Sequence, residues 1–154
     1  MREAAVTLLF LAAACPAWAE CPVPEGDVVL SRPTAGSVVR EFGNTYDELA
    51  KAKTDHNGVD LEAASGDTVY AARAGTVAEV GSAETIGTFI RVDHGGGLAT
   101  GYGHLGQTTV KAGDCVNGGQ EIGTAGATGV TPGPQLHFEV TRDGTYIDPM
   151  PLLQ

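Results

Sequence analysis

In the stretch TDHNGVDL, His56 and Asp60 stand four residues apart with Gly58 between them. Whether this segment is extended or makes one helical turn, positions i and i+4 fall on a common side, so an imidazole and a carboxylate can converge on one ion. A third donor lies far along the chain, in TPGPQLHFEVTRDG, where His137 sits in a strand-like run. If residues 135–141 are extended, Leu136, Phe138 and Val140 face one way, and Gln135, His137 and Glu139 face the other. The apolar trio belongs to a core, so the polar trio projects into a cleft or into solvent. A lone histidine in such a row ordinarily decorates a solvated sheet face; the pair at His56 and Asp60 gives it another meaning. Imidazole nitrogens and a carboxylate oxygen suit Zn2+, and three protein ligands with one open position make a catalytic rather than a structural site. One zinc ion per chain, at His56, Asp60 and His137, is the expectation. Asp55, next to His56, is a candidate to orient its ring; the sequence offers no partner for Glu139.

Strands must position these side chains. Glycine, at 22 of 154 residues, is about twice its usual share, without a collagen period. From Gly66 the chain reads GDTVYAARAGTVAEVGS, TFIRVDHGGG, LATGYGHL, TTVKAGDCVNGGQEIGTAG and QLHFEVTRDG. Each run is rich in Val, Ile, Thr, Phe or Tyr and is bounded by Gly, Asp or Asn, the signature of short antiparallel strands and tight turns. The fold class is therefore mainly β, a compact antiparallel sheet pair or sandwich. Helix signal is confined to YDELAKAK, residues 46–53, read as a short surface turn of helix or a mobile loop. Tyr102 and His104, two apart in GYGHL, share a face of a regular strand, so both are expected to line a groove. His94, at the glycine turn of VDHGGG, shares a face with Ile90 and Val92 and reads as structural.

The length suits one domain with a real core. The opening MREAAVTLLFLAAACPAWAE carries Arg2, an apolar run from Ala4 to Ala14, and an Ala17-Trp18-Ala19 end that fits an A-x-A cleavage site. Residues 1–19 read as a secretory signal, residues 20–36 as an ordered arm with Pro22, Pro24 and Pro33, and residues 37–154 as the domain. The product is an exported protein, periplasmic or extracellular. A competing reading takes Leu11-Ala12-Ala13-Ala14-Cys15 as a lipoprotein signal with Cys15 acylated, although Ala12 is small for that role. The leader's apolar run is too short for a permanent span, and no later segment is apolar enough, so no transmembrane segment is expected in the mature chain. With a net charge of −10 and no basic stripe, nucleic acid is excluded as a partner and an anionic membrane surface is disfavoured. Cys21 and Cys115 make an even pair for an exported chain, hence a disulfide. It would close a loop of roughly 90 residues, for which chain entropy gives about 4 to 5 kcal/mol.

Several ordered motifs carry a resemblance across roughly residues 30–153. They are His56-Asn57-Gly58-Val59-Asp60-Leu61, Val69-Tyr70-Ala71-Ala72 with Ala74-Gly75-Thr76-Val77, and Val92-Asp93-His94-Gly95. Gly101-Tyr102-Gly103-His104-Leu105, Val110-Lys111-Ala112-Gly113-Asp114 and Leu136-His137-Phe138-Glu139-Val140 complete the set. Together they resemble the lysostaphin and LytM type zinc metallopeptidases, which cut peptide links of bacterial peptidoglycan. The resemblance implies an antiparallel β-sheet groove of the duplicated hybrid motif type, with zinc on its floor held by His56, Asp60 and His137. It also implies that His104 stands beside the metal and steadies the anionic intermediate.

One position departs from that family. Its last motif is usually His-x-His, with the first histidine taking the proton, whereas this chain has Gln135-Leu136-His137. A glutamine side chain has no basic nitrogen, and a positioned base contributes roughly a hundred- to ten-thousand-fold in rate. Either His104 assumes the base role or a slower hydrolase results. The alternative is a catalytically degenerate relative that activates a cell-wall amidase, but many such relatives have lost the first zinc histidine or the aspartate, and both are present here. A lipoyl or biotinyl carrier reading of VKAGDCVNGGQEIGTAG fails because no lysine follows Lys111 at the hairpin tip.

Overall fold

The alternation in QLHFEVTR folds as expected: residues 135–142 form one strand, and Leu136, Phe138 and Val140 have no exposed surface. This computed structural model describes residues 21–154; the leader assigned to residues 1–19, with Cys15, lies outside the described residues. In chain order the strands are β1 Val38–Arg40, β2 Gly43–Asp47, β3 Ala52–His56, β4 Gly58–Glu62, β5 Thr68–Tyr70 and β6 Gly75–Ala83. There follow β7 Gly87–Asp93, β8 Leu98–Thr108, β9 Cys115–Val116, β10 Glu121–Ala125, β11 Gln135–Arg142, β12 Thr145–Ile147 and a 3-10 turn at Met150–Leu152. Ten strands make one sheet, in which β1, β4, β11, β8, β7, β6 and β9 lie side by side, β12 pairs with β11, and β10 pairs with β5 and β8. All its strand pairs are antiparallel, while β2 and β3 form a separate two-stranded hairpin.

The core lies under the inner face of this sheet, where Val59, Leu61, Ile90, Val92, Leu136 and Phe138 are fully buried. Each such side chain contributes roughly 1.5 to 3 kcal/mol through lost contact with water. The arm closes one side: Leu30 is fully buried, and its N–H and carbonyl bond to Leu152 and Gln154 at 2.8 and 2.9 Å. Cys21 and Cys115 are joined by a disulfide with Cα atoms 5.4 Å apart, tying the arm to β9. No helix among the described residues is long and apolar enough to cross a membrane.

Two sequence expectations are corrected. Residues 46–53 are neither a turn of helix nor a mobile loop: they are the ends of β2 and β3 and the turn between them. Local hydrogen bonding overrides the helical pattern, because the Asp47 carboxylate accepts the Leu49 and Ala50 N–H groups at 2.9 and 2.8 Å and tightens the turn. Arg40 then clips the hairpin to β1, pairing with Asp47 at 3.1 Å and donating to Thr45 and Thr54. Tyr102, in turn, does not line the groove. It is fully buried against Phe138, with ring centroids 5.4 Å apart, and its hydroxyl accepts the Ala72 N–H at 2.8 Å. The strand is irregular between Tyr102 and Leu105, where three steps of β8 face two of β7, and His104 has a φ of +57°. This bulge turns His104 to the face opposite Tyr102.

Candidate metal centre

The central strand β11 lies between β4 and β8, and its register places His137 opposite Asp60 on one side and Gly103 on the other. Gly58 permits that closeness: a Cβ there would stand 2.3 Å from the Phe138 carbonyl oxygen and 3.1 Å from His137 Cε1. Gly101 similarly leaves space for Glu139, whose Oε2 would lie 2.9 Å from a Cβ. The last residue of β3, His56, completes the group. Its Nε2 is 3.2 Å from Asp60 Oδ1 and 3.1 Å from His137 Nδ1, and His137 Nδ1 is 2.7 Å from the same oxygen. All three side chains are buried, and Gln135 and Glu139 of the same strand face are buried as well. The polar row of β11 thus forms the floor of a cleft and is not a solvated face.

The donor chemistry can be tested for fit to an ion. His56 Nδ1–H donates to the Glu41 carbonyl at 2.8 Å, which leaves a lone pair on Nε2. His137 Nε2–H donates to Glu139 Oε1 at 3.1 Å, which leaves a lone pair on Nδ1. Asp60 has only lone pairs to offer. Three lone pairs converging at 2.7 to 3.2 Å repel one another unless a positive charge lies among them. A tetrahedral zinc with N and O ligands sets its donors about 3.3 Å apart, so the group fits with a small outward shift. The outer ring nitrogens, held by a carbonyl and a carboxylate, are arranged as metal-binding histidines require. Without the ion a proton serves instead: burial opposes charge on His137, but hydrogen bonds to Asp60 and Glu139 outweigh it and raise its pKa to about 9. For Asp60, burial is likewise outweighed by the two imidazoles, which hold its carboxyl well below the usual range.

His104 stands beside this group, its ring centroid 5.7 Å from that of His137. Its N–H donates to the Ile86 carbonyl, and its ring Nδ1–H donates to the Thr128 carbonyl, both at 2.8 Å. The Thr128 hydroxyl donates to the Leu105 carbonyl and accepts the Thr88 N–H, so the support is itself fixed. Burial lowers the His104 pKa, and the neutral ring with Nδ1 protonated keeps its lone pair on Nε2. A left-handed backbone at a non-glycine residue is a strained state, of the kind that clusters at functional sites.

Gln135 also lines the cleft, which measures about 630 Å3. The hairpin, with Tyr46 and Leu49, forms one wall; Thr85, Ile86, Val130 and Pro132 form the other. Three contributors escaped the sequence reading. The orienting group for His56 is the Glu41 carbonyl and not Asp55, which instead accepts from Asn44 Nδ2 at 3.1 Å. Thr128 and the hairpin wall are the others; none of them carries a motif. Glu139, which had no partner in the sequence, holds His137. His94 is structural as expected: its Nδ1–H donates to Ala74, and its Nε2 bonds to the buried Thr100.

Known proteins share sequence and fold with this chain. The chain is 35% identical over 137 residues to the cell division protein DipM of Caulobacter vibrioides, covering 88% of this chain and 22% of that protein. It is 39% identical over 95 residues to the peptidoglycan DD-endopeptidase ShyB of Vibrio cholerae, covering 62% of this chain and 22% of the relative. The chain therefore spans about a fifth of the length of these curated relatives. A crystal structure of a zinc-containing peptidase from Vibrio cholerae superposes with a TM-score of 0.73 at 29% identity, over 83% of this chain and 40% of that one. The model of peptidase family M23 matches residues 54–149. On that match, and with a fold of the same type, this chain belongs to peptidase family M23.

Proposed function

We propose that the chain holds one Zn2+ at His56, Asp60 and His137 and hydrolyses peptide links of bacterial peptidoglycan, as an exported protein in the periplasm or outside the cell. The observation that carries this reading is the convergence of three lone pairs whose outer nitrogens are already committed to Glu41 and Glu139. When bound, Zn2+ supplies Lewis acidity, polarising the scissile carbonyl and acidifying a water. The other work falls to side chains. His104 Nε2 takes the proton of the attacking water and returns it to the leaving amine. Gln135, with no basic nitrogen, donates its amide N–H to the oxygen on which charge develops. The apolar rims at Tyr46, Leu49 and Val130 flank an extended peptide.

A second reading rests on Gln135 alone: a domain without hydrolytic activity that switches on a separate cell-wall amidase. Incubation of the zinc-loaded protein with purified peptidoglycan, followed by product analysis, separates the two. The peptidase reading expects peptide-bond cleavage that His104→Ala reduces by about a hundred-fold or more. Silence in the parent, gain of cleavage in Gln135→His and stimulation of an added amidase would establish the second reading. Elemental analysis showing no zinc after loading would end the peptidase reading and leave the second.

A further inference from the structure

At the other end of β11, five residues and about 17 Å of strand beyond His137, lies a second crevice of about 440 Å3. Val23, Pro24, Gly26 and Val28 of the arm form one wall, the Gly95 and Gly96 turn after β7 another, and Arg73, Arg142 and Asp143 complete it.

Arg73 is only 9% exposed, and arginine is seldom buried this far without an acidic partner. Among the described residues, no ion pair involves Arg73 or Arg142. The guanidinium has five N–H donors. One Nη donates to the Pro24 carbonyl and the other, at 3.4 Å, to that of Asp27. Its Nε is fully buried and makes no hydrogen bond. Clamping the arm thus uses two donors on neutral acceptors, which bind a guanidinium more weakly than an oxyanion does. An unsatisfied buried donor of this kind calls for a missing partner.

Among the described residues, no carboxylate pairs with the Arg73 guanidinium. His94 is held neutral between the Ala74 carbonyl and Thr100, and burial keeps its pKa below the ordinary value. The Gly95-Gly96-Gly97 turn is left-handed throughout, with φ of +75°, +58° and +78°. Asp93 accepts the Gly95 N–H at 2.8 Å and the Asp143 carboxylate stands against Gly97, while open space lies over Gly96, where the backbone of such a turn favours negative charge. Asp143 is the one acid lining the crevice, so two guanidinium charges stand against one carboxylate, in a chain whose net charge is −10.

We propose that this crevice is a binding site for a small oxyanion, carried either by a peptide carboxylate or by inorganic phosphate, held between Arg73 and Arg142. The site is independent of the metal centre and of the reaction performed there.

The test is titration of the full-length, zinc-loaded protein at constant ionic strength with N-acetylglycine, with inorganic phosphate, and with neutral N-acetylglycinamide. Backbone amide shifts of residues 95–98 and the Arg73 Nε–H resonance report binding. A saturable shift of these signals with either oxyanion, and none with the amide, is expected. Arg142→Gln, at an exposed position, should weaken binding at least ten-fold while leaving the shifts of His56 and His137 unchanged. Arg73→Lys, which keeps the charge and removes the fork, should weaken it too. Response to only one of the two oxyanions upholds the site and names its source. No saturable shift with either, an equal response to N-acetylglycinamide, or unchanged affinity in Arg142→Gln would overturn the proposal.

Discussion

At the scale of single residues, the least visible partner of the proposed metal centre is Glu139. Its carboxylate accepts from His137 Nε2, which fixes the ring so that Nδ1 points at Asp60 and His56. Removing that charge while keeping the shape, in Glu139→Gln, should cost about ten- to a hundred-fold in zinc affinity, measured by competition with a chelator. The same carboxylate helps to raise the His137 pKa to about 9, so at pH 7 the ion must displace a proton. Calorimetry in buffers of different ionisation enthalpy should therefore show about one proton released per zinc near pH 7, and progressively less as the pH approaches 9. Release near zero throughout would mean that His137 does not hold the ion. The three donors were legible because side-chain type and spacing advertise them. Glu41 was not, since it acts through a backbone carbonyl that any residue possesses. Gln135 was legible as a departure only because a resemblance supplied the expected histidine.

At the scale of elements, the site depends on how closely β4 approaches β11. Gly58 permits that closeness, so Gly58→Ala would press a methyl group against the Phe138 carbonyl and push apart the strands that carry Asp60 and His137. The expected result is a loss of about 1 to 3 kcal/mol in denaturant unfolding, with weakened zinc uptake. The hairpin offers a contrast, because its turn stands clear of the donors. Asp47→Ala removes the acceptor of two turn N–H groups and the partner of Arg40, which should cost about 1 kcal/mol and loosen the groove wall while leaving zinc content unchanged. The sequence was easiest to read where burial alternates strictly, as in β11. It misled at residues 46–53, where Glu, Leu, Ala and Lys have good helix propensity but a single aspartate and cross-strand pairing decide the outcome. It misled again at Tyr102 and His104, because a bulge in β8 breaks the period-two rule and nothing in GYGHL marks which residue takes the left-handed backbone.

At the scale of the whole molecule, two histidines give the fold opposing pH dependences. His94 is buried neutral, so its folded pKa lies below the unfolded value of about 6.5. Its contribution is complete above pH 6.5 and is lost as the pH falls toward the folded value, because the unfolded chain then binds the extra proton. Protonation would also replace the lone pair of Nε2 by a hydrogen, disturbing the chain that runs through Thr100 to the buried Tyr102 hydroxyl. His137 in the metal-free chain behaves in the opposite sense. Its folded pKa of about 9 lies above the unfolded value, so its stabilisation is present below pH 6.5 and disappears as the pH rises to 9. The pKa gap corresponds to something on the order of 3 kcal/mol. Zinc replaces that proton and binds more tightly as the pH rises, so the loaded chain should not share the loss. Denaturant unfolding of the disulfide-intact protein between pH 6.5 and 9 should thus show the metal-free form weakening and the loaded form holding or gaining stability. Parallel curves for the two forms would separate His137 from the ion and leave the fold standing without its proposed chemistry.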